Sequence, residues 1–209
     1  MIKLLYAQNS TNDVTTSGLD SSKPRDSNTW SCGSELLPDF STYPCKRYGI
    51  TVDMWVKGGS QSQTLLSAGS SSLVITISSS GVANVTLTDN STTPRRVSWH
   101  TDPVCSARLR DSGTAVHQLA LIADGGPKML MWVVDGHLCD GGPHGICAGH
   151  DSTIAEGEPA GWFLFDEALG SLQSNQNVVT GSRVVAARLY NRALYVSELI
   201  GNFRAGPPR

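Results

Sequence analysis

From Gly49 onward the chain breaks into short runs in which every second residue is apolar. In residues 49–57, Ile50, Val52, Met54 and Val56 alternate with Thr51, Asp53 and Trp55, and Gly58-Gly59 ends the run. Alternation of this kind, rich in β-branched residues and bounded by glycine, predicts a strand with one face on a core. The same reading predicts strands over 64–69, 72–77, 82–87, 115–123, 128–134, 161–165 and 181–190. Ser78-Ser79-Ser80-Gly81, Asp124-Gly125-Gly126-Pro127 and Asp135-Gly136 supply the turns between them. Over 195–203 the spacing changes: Val196, Leu199, Ile200 and Phe203 recur at helical intervals, and Gly206-Pro207-Pro208 stops the helix. Residues 90–113 and 140–160 read as long loops. Residues 1–29 are polar and read as a linker or an irregular first strand, with 30–209 as the domain. The sum is an all-β protein: an antiparallel two-sheet β-sandwich (jelly roll) with one short C-terminal helix.

Composition narrows the partners. Charged residues are 16% of the chain and the formal net charge is −2. Basic residues are scattered, so the sequence predicts neither a nucleic-acid nor an anionic-membrane partner. No apolar run reaches the length of a membrane-spanning helix. Met1 to Ala7 is too short for the apolar region of a signal peptide, and the start reads as linker, so a domain within a longer chain is expected.

The five cysteines are Cys32, Cys45, Cys105, Cys139 and Cys147. No pair has zinc-site spacing. Cys32 with Cys45 and Cys139 with Cys147 would each close a short polar loop, and these are the predicted disulfides. Asn9, Asn84 and Asn90 each head an Asn-x-Ser/Thr glycan-acceptor pattern. Cysteines and sequons together point to a secreted, extracellular setting.

Three stretches resemble the laminin-G-like domains of the concanavalin-A-like lectin/glucanase superfamily. They are ITVDMWVKGG at 50–59, HQLALIADGGPKMLMWVVDGHLCDGG at 117–142 and GSRVVAARLYNRALYVSELIGNFRAG at 181–206. The resemblance covers residues 45–206. It implies a jelly-roll scaffold; function must be argued from a site.

The resemblance includes β-glucanases, whose catalysis would need two carboxylates on one face of a strand. Asp166-Glu167 would face opposite sides of a strand, and Glu156-Gly157-Glu158 lies in a loop-like stretch. No Gly-x-Ser-x-Gly elbow occurs. Sugar binding would instead need an aromatic platform ringed by planar polar groups. Trp99, beside His100 and Asp102, reads equally as that platform or as a plug at one end of the core. Trp55 faces away from Ile50, Val52, Met54 and Val56, so it either lies on a ligand-facing side or is buried. Trp30 reads as an exposed stacker or a plug. His144 completes the candidate ligand set, whereas Trp132 and Trp162 read as core. No cofactor is required. Calcium is possible, with Asp140 and Asp151 as weak candidate ligands in a turn-rich region; Asp124 and Asp135 read more simply as turn residues.

The expectation is therefore a non-catalytic, lectin-like module for polysaccharide or glycan, attached to a secreted glycoside hydrolase or a similar protein. An extracellular protein-interaction or structural module is the alternative. A polysaccharide-degrading enzyme in its own right ranks third.

Overall fold

The computed structural model describes residues 4–8, 29–31, 49–68, 71–89, 91–110, 115–124, 129–139, 162–164, 177–190 and 192–207. In chain order the strands are β1 (Leu4–Gln8), β2 (Thr29–Ser31), β3 (Gly49–Lys57), β4 (Gln63–Ala68), β5 (Leu73–Ile77), β6 (Ala83–Thr88) and β7 (Arg96–His100). Helix α1 (Pro103–Leu109) follows. Then come β8 (Val116–Asp124), β9 (Met129–Val134), β10 (His137–Leu138), β11 (Trp162–Leu164), β12 (Asn177–Thr180), β13 (Val184–Tyr190) and helix α2 (Val196–Ala205).

The strands form two antiparallel sheets, and the protein is a β-sandwich. One sheet has the order β1-β13-β3-β8-β9-β10, with β11 also paired to β9. The other has the order β2-β12-β4-β5-β6-β7. We call these the helix-covered sheet and the open sheet. Alternation decides which side chains meet between them. Ile50, Val52, Met54 and Val56 of β3 are fully buried, and they join Leu119, Leu121, Trp132 and Leu189 on the inner face. Leu73, Ile75, Val85 and Leu87 answer from the open sheet. A register shift in β4 between Thr64 and Leu66 lets two consecutive leucines, Leu65 and Leu66, both join the core.

The other face of the covered sheet is also dry. Ala120, Ile122, Val133 and Tyr190 point outward there and pack with Leu194 and Leu199 from the α2 segment. This second apolar layer explains why eight of the nine β3 residues are buried although only alternate ones face the sandwich core.

Beneath α2 lies a buried polar network. Gln118 Nε2 donates to Asp53 Oδ1 at 2.9 Å, and Asn202 Nδ2 donates to Asp53 Oδ2 at 3.0 Å. Gln118 Nε2 also donates to the Leu199 carbonyl at 3.2 Å, and Arg188 Nη1 lies 3.7 Å from Asp53 Oδ2. Burial pushes the Asp53 carboxyl up from its ordinary pKa, against the lowering effect of Gln118, Arg188 and Asn202. The helix is thus tied to the sheet by polar as well as apolar contacts.

Two expectations are corrected. The sequence predicts one helix; the described residues contain two, because part of the supposed 90–113 loop is β7 followed by α1. Asp102 caps α1, accepting the Cys105 amide at 2.7 Å, and Pro103 sits at the first helical position. The predicted Cys139–Cys147 disulfide gives way to Cys105–Cys139, with Cα atoms 5.9 Å apart. Helix α1 packs near β9, so a residue 34 positions away becomes a neighbour of Cys139. Cys32, Cys45 and Cys147 lie outside the described residues.

The turn between β5 and β6 docks against α1. Gly81 has φ +84°, and a Cβ there would lie 2.2 Å from the Ser106 carbonyl oxygen and 2.8 Å from the Arg110 nitrogen. Gly81→Ala is therefore expected to cost about 1–3 kcal/mol, combining left-handed backbone strain with a clash against backbone. Urea unfolding would measure it; a loss below about 0.5 kcal/mol would mean this turn is not seated on α1.

Candidate functional site

The side chains that point outward from the open sheet define the site. Register places Thr64 opposite Thr76, Thr76 opposite Asn84, and Asn84 opposite His100, one polar row across β4, β5, β6 and β7. The neighbouring row runs Val179, Ser67, Val74, Thr86 and Ser98. Arg96 stands opposite Thr88 at the end of β7. Period two puts all of these on one surface, and no described helix packs over it.

Hydrogen bonds fix the centre of this surface. Thr86 Oγ1 and Ser98 Oγ are 3.1 Å apart. Arg96 Nη2 donates to Thr86 Oγ1 at 3.4 Å, and Asn84 Nδ2 donates to the same oxygen at 3.5 Å. One hydroxyl therefore holds a guanidinium and an amide side by side. Thr64, Thr76 and Asn84, with Gln63, Ser78 and Val82, also line a shallow hollow of about 450 Å³. The amides and hydroxyls of this depression, and the guanidinium farther along the same face, can exchange hydrogen bonds with a ligand rich in hydroxyl groups.

The predicted site residues separate into three groups. His100 is on the open face, half-buried, with Nδ1 3.1 Å from the Thr101 carbonyl oxygen. Asn84, predicted as a glycan-acceptor position, stands beside it. Trp99 occupies the plug position: it sits opposite Val85 and packs against the sandwich core, its ring 5.7 Å from that of His100. Trp55 is only 5% exposed, stacked on Phe203 of α2 at 5.9 Å, so the helix covers the ring that the sequence left available to ligand. Asp102 is 1% exposed and serves as the α1 cap, not as a ligand contact. For Trp30 the structure describes only the backbone, in the β2 strand. His144, Asp140, Asp151, Asn9 and Asn90 lie outside the described residues, as do Glu156, Glu158, Asp166 and Glu167.

Sequence reasoning missed Thr64, Thr76, Thr86, Ser98 and Gln63. Their signal was the register of the β4 to β7 meander, which turn geometry sets. Asp102, Cys105 and Cys139 bring one oxygen and two sulfurs close together. The two sulfurs are bonded to each other and the Asp102 carboxylate caps α1, so this cluster does not fit a metal ion.

Comparison with known proteins shows the fold. Neither a protein-family model nor a curated protein sequence matches the chain. Among solved structures, the receptor-binding domain of botulinum neurotoxin D is similar over 97% of this chain and 52% of its own, with a TM-score of 0.57 and 10% identity. The binding domain of botulinum neurotoxin DC in complex with SialylT is similar over 96% and 50%, with a TM-score of 0.55 and 11% identity. The same neurotoxin's binding domain in complex with rat synaptotagmin II gives 96%, 51%, 0.52 and 12%. The chain spans about half the length of these domains. At such identities the likeness defines a class of β-sandwich.

Proposed function

We propose that this protein is a non-catalytic carbohydrate-binding module whose ligand lies on the open face of the β2-β12-β4-β5-β6-β7 sheet. The observation that carries the reading is the contrast between the two outer faces. One is sealed by α2 with apolar side chains; the other presents aligned amides and hydroxyls, some of them lining a shallow hollow, with a guanidinium farther along the same face. Function in β-sandwiches resides in such grafted surfaces and not in the scaffold. Support also comes from the similar neurotoxin DC domain in complex with SialylT. The structure differs from the aromatic-platform scheme at Trp55 and Trp99, so hydrogen bonding would dominate recognition. Weak affinity follows, in the range of about −4 to −8 kcal/mol, millimolar to micromolar.

The sandwich is best assigned to the laminin-G-like kind. The three resembling segments contain β3, the β8-β9-β10 unit with its Asp135-Gly136 turn (φ 50° and 71°), and β13 with α2. An extracellular location and attachment to a carbohydrate-active parent belong to the same proposal, with the Cys105–Cys139 disulfide in support. A protein-binding reading is favoured by one feature of the open face: Val179, 42% exposed, lies in the same row as Val74. The neurotoxin DC domain in complex with rat synaptotagmin II fits that reading.

Affinity electrophoresis against a panel of soluble polysaccharides, with calcium and with chelator, tests the proposal. Retardation by at least one polymer is expected, and Asn84→Ala combined with His100→Ala should weaken it about tenfold or more, as loss of polar contacts in a shallow site does. Loss of retardation in chelator would add calcium to the site. No retardation of the folded protein by any polymer would favour the protein-binding module.

A further inference from the structure

The open sheet has a charge pattern that narrows its ligand. None of its six strands, TWS, NVVT, QTLLSA, LVITI, ANVTLT and RVSWH, contains an aspartate or a glutamate. Their one arginine is Arg96, which is exposed, faces outward, and has no carboxylate partner among the described residues. Its contact is with the neutral Thr86 hydroxyl, which leaves the remaining guanidinium donors available. The arginines used in scaffolding contrast with it. Arg192 pairs with Glu198, Arg188 lies beside Asp53, and Arg183 donates to the carbonyls of Lys57 and Gln61. The flanking acids are both buried: Asp89, 3% exposed, accepts from the Arg95 amide and Ser91 within its own turn, and Asp102, 1% exposed, accepts from the Cys105 amide as the α1 cap. No acidic strand residue therefore offsets Arg96 on this surface.

Resting on the carbohydrate-binding reading, we infer that the open face selects a sugar bearing an oxyanion, a carboxylate or a sulfate ester, and that Arg96 is the residue that binds it. A guanidinium presents paired N–H donors in a plane that matches two oxygens of such a group, and charge-assisted bonds of this kind are about twice as strong as neutral ones. Thr86 holds the guanidinium against the sheet. Ser98, Asn84 and His100 lie along β6 and β7, placed to meet the hydroxyls of the same sugar. An arginine on an edge strand also deters sheet-to-sheet pairing. That role needs only charge, so lysine would fill it equally well.

Isothermal titration with oligogalacturonate, the same oligomer after carboxyl reduction, and dextran sulfate tests the inference. The native protein is expected to bind oligogalacturonate or dextran sulfate, the better of the two identifying carboxylate or sulfate as the anion. Carboxyl reduction should weaken oligogalacturonate binding about tenfold or more if carboxylate is the anion. Arg96→Gln should weaken the preferred anionic ligand by a similar factor, and Arg96→Lys should recover only part of it. Carboxyl-reduced and native oligomers bound alike with dextran sulfate bound no better than either, or anionic binding that Arg96→Gln leaves unchanged, would overturn the inference while leaving the carbohydrate-binding reading intact. No binding of these three ligands, or of the neutral polymers of the electrophoresis panel, would overturn both.

Discussion

Replacing Cys105 and Cys139 together with alanine is expected to lower the unfolding free energy by about 3–4 kcal/mol. The figure follows from the sequence separation of 34 residues, because the cross-link removes the conformational freedom of that loop from the unfolded chain. The bond joins the α1 segment, which follows the edge strand β7 of the open sheet, to the end of β10 in the covered sheet. It therefore links the two layers of the sandwich as well as closing a loop. Both cysteines are buried, at 3% and 1% exposure, so reductant should act on the folded protein far more slowly than on the unfolded chain. Urea unfolding, with the m-value fitted separately for each protein, measures the loss, and mapping of the disulfide-linked peptides measures the connectivity. A Cys139–Cys147 peptide, or a double variant within about 0.5 kcal/mol of the native protein, would contradict the assignment.

Asp53→Ala is expected to cost about 3 kcal/mol or more at neutral pH, since it strips Arg188, Gln118 and Asn202 of a shared acceptor in a buried setting. Asp53→Asn separates charge from packing. Burial raises the folded pKa of Asp53 above its unfolded value near 3.8, so the folded state holds the proton more tightly. The stabilisation linked to this proton is fully present below the unfolded value and is lost as pH rises through the folded one. The native protein should therefore gain on Asp53→Asn as pH falls through that window and show a constant difference above and below it. Unfolding free energies of the two proteins between pH 3 and 8 would show this; a difference that moves the opposite way would mean the ionised form is favoured beneath α2.

The long alternating runs were legible because each puts one face on a core, as β3, β8 and β13 do. Strand β7 was not. Arg96-Val97-Ser98-Trp99-His100 sits at a sheet edge where no residue is fully buried, so its alternation of polarity is weak. Helix α1 is seven residues long and contributes mainly Cys105 and Leu109 to the core; only the Asp102-Pro103 cap marked its start. At Trp55 the alternation assigned the correct face, but covering of that face depends on where α2 lands after some 140 residues of chain. The disulfide was misjudged for the same reason: Cys147 is near Cys139 in sequence, but the fold brings Cys105, 34 positions away, to it. Of the candidate site, His100 and Asn84 could be picked out by residue type. Their alignment with Thr76 and Thr64 is a property of four strands in register, which no single segment encodes.

Residue-resolved amide chemical-shift mapping of the protein, titrated with the polysaccharide fragment it retains best, locates the ligand directly. The shifts are expected to concentrate on Thr64, Thr76, Asn84, Thr86, Ser98 and His100, with the α2 face silent. Shifts centred on α2 and β9, or spread evenly without saturation, would contradict a ligand site on the open sheet.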